Sequence, residues 1–312
     1  MTLPQALWAD TLRLAFWNAD LSRKGPGLLL QEIARAKDPQ IAQARAVIEE
    51  LDADVLVLGD IDYDAESAAL AALNAGLPRP YTHLTSLRPS TGIPSGLDLD
   101  GNGRSDEARD AFGFGLFPGQ GGMAILSRLP LAPEARDFSG FLWRDLPGAD
   151  LPPLPDGAAA VLPLSTTGHH ETGVSLPDGQ TLRLLTWHAT TPAFDGAEDR
   201  NGRRNHDETA FWTRLLDGAL PYPPPSAPFV LIGQANADPD KGDGRPAAIR
   251  ALLADPRLQN PLSGDTVDYG GTIGPLRTDY ILPSAELRIT GAGVDPANPA
   301  SRHRPIWVQI EF

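Results

Sequence analysis

Apolar and polar positions alternate along Leu12-Arg13-Leu14-Ala15-Phe16-Trp17, and the run stops at Asn18. That period of two predicts a strand that delivers a polar tip. Asp38-Pro39 then opens a helix, with Asp38 as its cap and Pro39 in its first turn. Ile41, Ala44, Val47, Ile48 and Leu51 form its apolar stripe. Asp54 to Leu58 is a short apolar run, read as a buried strand ending at Gly59-Asp60, and a second helix is expected from a cap at Asp64 to Gly76. Residues 80–120 read mostly as loop. Strands are expected at 122–126 and 181–187, the second ending at His188. A helix near 206–217 is broken by Pro221-Tyr222-Pro223-Pro224-Pro225, and strands recur at 228–232, 277–282, 286–290 and 306–312. Polar residues thus stand at many strand ends: Asn18, Asp60, His188, Gln234 and Asn236, Asp279, His303. Strand ends are where α/β scaffolds place sites.

Composition narrows the classes. A chain of 312 residues with 41% hydrophobic and 21% charged residues can bury a large core. Taken alone, that length allows one large domain or two small ones. No apolar stretch approaches the length of a membrane span. The first 20 residues show no signal peptide, but a trimmed leader would leave the same sequence, so a secreted or periplasmic location stays open. Cysteine is absent, which excludes disulfides, thiolate zinc sites and a cysteine nucleophile. A net charge of −14 argues against broad, nonspecific nucleic-acid binding. Glycine and proline, 31 each, are spread between the patterned segments, as in long specific loops on a rigid scaffold.

Seven short motifs stand in a definite order: Phe16-Trp17-Asn18, Leu56 to Asp60, Gly122 to Ser127, Thr186-Trp187-His188, Gly233-Gln234-Ala235-Asn236, Arg277 to Ile281, and Ser301-Arg302-His303. Each alone is weak. Together they resemble the endonuclease/exonuclease/phosphatase superfamily, which holds deoxyribonuclease and sphingomyelinases. The stretch from Phe194 to Asp207 resembles a bacterial branch of it. The resemblance covers nearly the whole chain and implies one domain over 1–312. The implied fold is an α/β four-layer sandwich: two packed mixed β-sheets flanked by helices.

What the resemblance implies for the site can be carried over residue by residue. In such enzymes carboxylates and an asparagine hold Mg²⁺ or Mn²⁺, which polarises the phosphate. Asn18 would be an outer metal or phosphate contact. Asp60 takes the place of the metal-binding glutamate, with its reach shortened by roughly 1.3 Å. His188 would stabilise phosphoryl oxygens, Asn236 would contact phosphate and nucleophile, and Asp279 would orient His303. Two positions depart from the pattern. Gln234 stands where an aspartate activates water, and an amide cannot accept that proton. Arg302 stands where a second aspartate is expected, and a guanidinium cannot ligate a cation. Together these changes make the site about three charge units more positive. An arginine ~4 Å from a divalent ion would repel it by about 2 kcal/mol even at a water-like dielectric. Arg302 is therefore expected to replace the metal, pairing with Asp60 or gripping a phosphate.

Two further segments carry possible chemistry. Asp98, Asp100 and Asn102 alternate before Gly103, matching the first half of an EF-hand-type loop. The carbonyl of Arg104 would continue the calcium shell, and Glu107 or Asp110 could close it. The other reading is a polar turn. Arg200, Arg203 and Arg204 could meet an anionic substrate or lie on a solvated loop entering a helix. The function expected from all this is a metal-dependent phosphodiesterase or phosphatase type with impaired hydrolysis. The alternative is an inactive relative that binds a phosphate-bearing ligand or a protein. A phosphate-ester small molecule or a phospholipid headgroup would suit either reading.

Overall fold

The computed structural model describes residues 11–312, so the reading of the first ten residues lies outside the described residues. Two mixed sheets face each other. The larger is built from β1 (Thr11–Leu21), β2 (Val55–Ile61), β3 (His83–Leu87), β4 (Gly122–Ser127), β12 (Arg288–Val294) and β13 (Ile306–Glu311), in the order β12-β13-β1-β2-β4-β3. The second contains β5 (Leu131–Asp137), β6 (Gly168–Ser175), β7 (Thr181–His188), β8 (Phe229–Gln234) and β11 (Asp279–Pro283), in the order β11-β8-β7-β6-β5. A small hairpin, β9 (Val267–Asp268) and β10 (Pro275–Leu276), stands apart.

The parallel pairs, β1 with β2 and β7 with β8, are joined by helical crossovers, because parallel neighbours cannot be linked by a tight turn. The first crossover holds α1 (Leu28–Arg35) and α2 (Pro39–Leu51); α3 (Ala68–Ala75) follows β2. The second crossover holds α4 (Arg200–Leu216), and α5 (Ala247–Leu253) follows β8. Asp38 caps α2 as its sequence predicts, its Oδ1 accepting from the Gln40 backbone at 2.8 Å.

Burial follows strand alternation. Leu14, Phe16, Val57, Leu184, Ile232 and Ile281 meet in the core between the sheets. Trp17, Leu56 and Leu58 face the other way, against Ile41, Ala44 and Ile48 of α2. Leu185, Trp187 and Leu231 pack against Phe211 and Trp212 of α4. The result is the expected four layers, helix, sheet, sheet, helix. At the 25 cal/mol per Å² scale, each fully enclosed leucine or phenylalanine here contributes about 1.5–3 kcal/mol relative to exposure. No helix among the described residues is long and apolar enough to cross a membrane.

Several elements depart from the sequence pattern. The helix expected near 206 starts at Arg200, and β6, with sequence GHHETGVS, has no apolar alternation at all. Arg204 does not face an anion. It is buried, donating from Nε to Leu164 O at 2.9 Å and from NH2 to Pro163 O at 2.5 Å. Arg203 pairs with Asp150, and Arg200 reaches the Leu99 carbonyl at 3.4 Å. These arginines tie α4 to the loops around it.

Candidate active site

The inter-sheet faces of the strands are apolar up to one end, where polar residues take over. Along β7 the series Leu182, Leu184 continues through Thr186 to His188; along β8, Val230 and Ile232 lead to Gln234; β11 starts with Asp279, two residues before Ile281. Side chains two apart share a face, so these polar ends point into the same cleft. The ladder puts them side by side: Gly168 pairs with His188, His188 with Gln234, and Gln234 with Asp279. In the facing sheet, Leu12, Leu14 and Phe16 lead in the same way to Asn18. Close packing at the strand end requires Gly233, because a Cβ there would lie 2.0 Å from the Trp187 carbonyl oxygen.

An amide chain crosses the cleft floor. Asn18 Nδ2 donates to Gln234 Oε1 at 2.6 Å; Gln234 Nε2 donates to Asn236 Oδ1 at 2.7 Å; Asn236 Nδ2 donates to the Ala189 carbonyl at 2.8 Å. Gln234 thus both accepts and donates, and it is only 3% exposed. A carboxylate at this position could accept but not donate.

Asp279 and His303 form a second buried unit, with Oδ2 2.9 Å from Nδ1. Burial opposes charge on His303, but the Asp279 carboxylate and its hydrogen bond hold the imidazolium above the ordinary pKa. His188 behaves oppositely. Burial first, and His303 second, push it down to about 4, so it is neutral at pH 7. Among the described residues, its Nδ1 and Asp279 Oδ1 have no hydrogen-bond partner.

The opposite wall is acidic. Asp60 is pushed up to about 7 by burial, then by Asp20 and Asp62. Gly121 adjoins it closely enough that a Cβ would sit 2.7 Å from Asp60 Oδ1. Asp20 and Asp60 have φ of 51° and 54°, and Asn236 has 52°, left-handed values uncommon outside glycine. Such residues cluster at functional sites. Asp20 and Asp62 were not singled out in the sequence. The kink that continues β1 to Leu21 brings Asp20 back onto the Ser301-Arg302-His303 turn. Ser301 Oγ donates to Asn18 O at 2.7 Å, and the Arg302 backbone donates to Asp20 Oδ2 at 3.2 Å.

Arg302 does not pair with Asp60, as the sequence suggested it could. Its Nε lies 3.7 Å from Asp20 Oδ2, and its guanidinium sits 5.5 Å from the Tyr269 ring centre. The reason is local: the turn that binds Asp20 through the backbone also carries the side chain to Asp20. The side chain remains 61% exposed, so it faces the cleft mouth with donors to spare.

Around Asp60 the fit to an enclosed divalent ion is poor. Asp62 already accepts from Ser22, from the Arg23 backbone and from the Gly121 backbone. Asp20 is engaged by Ser301 and Arg302. Among the described residues, the one set of three His, Cys, Asp or Glu side chains with ligand atoms within 4.8 Å of one another is Asp98, Asp100 and Asp110, which could hold a metal. Asp110 is the partner there. Asn102 instead turns its amide to Asp100 and Glu107, and the Arg104 side chain pairs with Glu107 at 2.5 Å.

The sequence profile described as Endonuclease/Exonuclease/phosphatase family matches residues 15–303. A search of curated proteins finds no match. Among solved structures, an endonuclease/exonuclease/phosphatase from Beutenbergia cavernae is similar at 16% identity and a TM-score of 0.60, over 97% of this chain and 72% of that one. Sphingomyelinase C from Streptomyces griseocarneus is similar at 18% identity and 0.54, over 96% and 99%. A mannosyl-6-phosphatase from Bacteroides thetaiotaomicron is similar at 14% identity and 0.55, over 96% and 100%.

Proposed function

This chain belongs to the endonuclease/exonuclease/phosphatase family, and on that premise we propose that its strand-end cleft binds a phosphate ester while metal-dependent hydrolysis there is weakened. The observation that carries the reading is Gln234, fixed between Asn18 and Asn236 by two hydrogen bonds of opposite sense. It has no lone pair that could take a proton from water at neutral pH. Loss of a general base costs about 10²–10⁴-fold in rate. Family members are typically dependent on a divalent metal, which would polarise the phosphate when bound. Here Asp60 is the carboxylate left to hold one, and Arg302 supplies positive charge beside Asp20 instead.

Anion binding uses what remains. His303 Nδ1 points to Asp279, which leaves Nε2–H for a phosphoryl oxygen. Arg302 offers a planar fork at the mouth. Neutral His188 can donate one further hydrogen bond, and Asn236 lines the floor. The names of two similar structures, a sphingomyelinase and a mannosyl-6-phosphatase, fit a phosphate ester in general terms. A protein with no turnover at all is the second reading; the same amide chain favours it, since it removes the base outright.

Titration calorimetry with sulfate tests the binding claim. Wild type is expected to bind, and Arg302→Ala to bind about tenfold more weakly, a loss reduced from the buried case by solvent. Equal affinity in the two proteins would reject the role given to Arg302. The Asp98, Asp100 and Asp110 group is proposed as a calcium site, with oxygen-only donors suited to a hard cation.

A further inference from the structure

An asparagine followed by a glycine occurs twice in the chain, at Asn102-Gly103 and Asn201-Gly202. Such a pair can close on itself, because glycine has no Cβ to keep its peptide nitrogen away from the asparagine side-chain carbon. The two pairs are held in opposite ways. Asn201 lies in the first turn of α4, where its backbone donates to Asp195 and its Nδ2 donates to Ala193 O at 2.6 Å. A helical backbone fixed at both ends cannot swing the Gly202 nitrogen toward that side chain. Asn102 and Gly103 instead lie in an exposed bend, outside any helix or strand.

Three contacts in that bend surround the atoms that would react. Arg104 N donates to Asn102 Oδ1 at 2.9 Å, which folds the side-chain amide back over the Gly103 peptide and polarises its carbonyl. Gly103 N donates to Asp98 Oδ2 at 2.7 Å, so a carboxylate stands on the proton of the attacking nitrogen. Asn102 Nδ2, the group that would leave, donates to Glu107 Oε2 at 2.6 Å. Gly103 has a φ of 87°, and a Cβ there would meet nothing within 4 Å, so that side of the bend is open to water.

We propose that Asn102-Gly103 is a self-modifying site, at which the folded bend promotes conversion of Asn102 to an acid. Gly103 N bonds to Asn102 Cγ as the Cγ–Nδ2 bond breaks. The Gly103 proton passes by way of Asp98 to the departing nitrogen, which leaves as ammonia. Water then opens the cyclic imide at either carbonyl, and residue 102 becomes aspartate or its β-linked isomer. Water is the one co-reactant. The bend supplies a base at the nitrogen, a donor at the oxygen and fixed proximity of the two. The product loses the side-chain N–H contacts to Asp100 and Glu107 and places one more negative charge beside them. Like charges at that range repel, so conversion loosens the bend.

Peptide mapping of the full chain, aged at pH 7.5 in excess chelator, tests the proposal; the chelator keeps cations off Asp98. Conversion is followed at both pairs, in the native protein and in guanidinium chloride, where the local sequence alone sets the rate. Native Asn102 is expected to convert about tenfold or more faster than unfolded Asn102, whereas native Asn201 should convert more slowly than unfolded Asn201. Asp98→Asn keeps an acceptor for Gly103 N but no base, and should slow native Asn102 by about tenfold or more. Its rate in guanidinium chloride and its sulfate affinity should match wild type. Asp98→Glu, which keeps the carboxylate, should recover part of the lost rate. The proposal is overturned if native Asn102 converts no faster than unfolded Asn102, or if Asp98→Asn converts as fast as wild type. Equal native rates in Asp98→Asn and Asp98→Glu would overturn it as well, because the carboxylate would then have no part in the step.

Discussion

Replacing Gln234 with aspartate restores the residue type expected from the family, yet the protein should lose stability. The side chain is 3% exposed and makes two short hydrogen bonds. Aspartate is shorter by roughly 1.3 Å and has no N–H. Asn236 Oδ1 would be left without a donor inside the cleft floor, at about 1–3 kcal/mol. A further penalty comes from the new carboxylate, enclosed one strand away from Asp279. The sum is about 2–4 kcal/mol at pH 8, a fall of about 3–6 °C in melting midpoint for a chain of this size. The sign with pH is fixed. Burial raises the introduced carboxyl above its unfolded value, so it is protonated in the folded state at low pH. The penalty therefore shrinks as pH falls and grows as pH rises through the folded pKa. Thermal melts at pH 5 and pH 8 measure it, with Gln234→Glu as a length control that also lacks the donor. If Gln234→Asp melts like wild type at pH 8, the amide chain is not structural, and the argument that Gln234 is committed to its neighbours fails.

Sulfate affinity should decline as pH rises above 6.5, because His303, raised above its ordinary value by Asp279, loses its proton there; Asp60, pushed up to about 7, ionises in the same range, so calorimetry from pH 6 to 9 is run on Asp60→Asn, where a remaining decline reads the histidine and a flat profile would exclude it from binding. Calcium should raise the melting midpoint relative to excess chelator, and Asp110→Asn should erase the difference; identical midpoints in the wild type would reject the Asp98, Asp100 and Asp110 site. Gly233→Ala should destabilise by more than about 3 kcal/mol, because its Cβ meets backbone, which cannot rotate away; a soluble variant with an unchanged midpoint would contradict the packing at the strand end.

Much of the candidate cleft's lining is legible in the sequence, for a physical reason. Alternation places every second residue on one face, so Asn18, His188 and Gln234 inherit the orientation of the apolar residues before them. What the pattern could not give was the pairing partner of each tip. For Arg302 the sequence leaves two roles open, pairing with Asp60 or gripping a phosphate; the backbone of its turn binds Asp20, which takes the side chain away from the first. Asp20 itself was invisible because its role depends on a left-handed kink, and nothing in Asn18-Ala19-Asp20 marks it. The strand β6 escaped notice for a different cause. Its His169 and Glu171 are buried polar residues whose partners include the Glu208 carbonyl and Arg136, both distant in sequence. Arg204 and Glu208 in α4 follow the same logic: satisfied by loop groups, they sit inside the protein although their segment reads as solvated. In the Asp98 loop, spacing offers Asp98 and Asp100 and leaves the closing residue open between Glu107 and Asp110; the fold brings the Asp110 carboxylate to the other two.

The central claim is that the substitutions at 234 and 302 suppress metal-dependent hydrolysis in an otherwise intact phosphate cleft. Its most direct test is turnover of a nitrophenyl phosphodiester with Mg²⁺ or Mn²⁺ by the wild type and by the double variant Gln234→Asp, Arg302→Asp, assayed below the melting range of both. The account predicts little metal-dependent activity in the wild type and activity that appears, or rises by about 10²-fold or more, in the double variant. Robust metal-dependent turnover by the wild type, unchanged in the double variant, would contradict it and place the chemistry elsewhere.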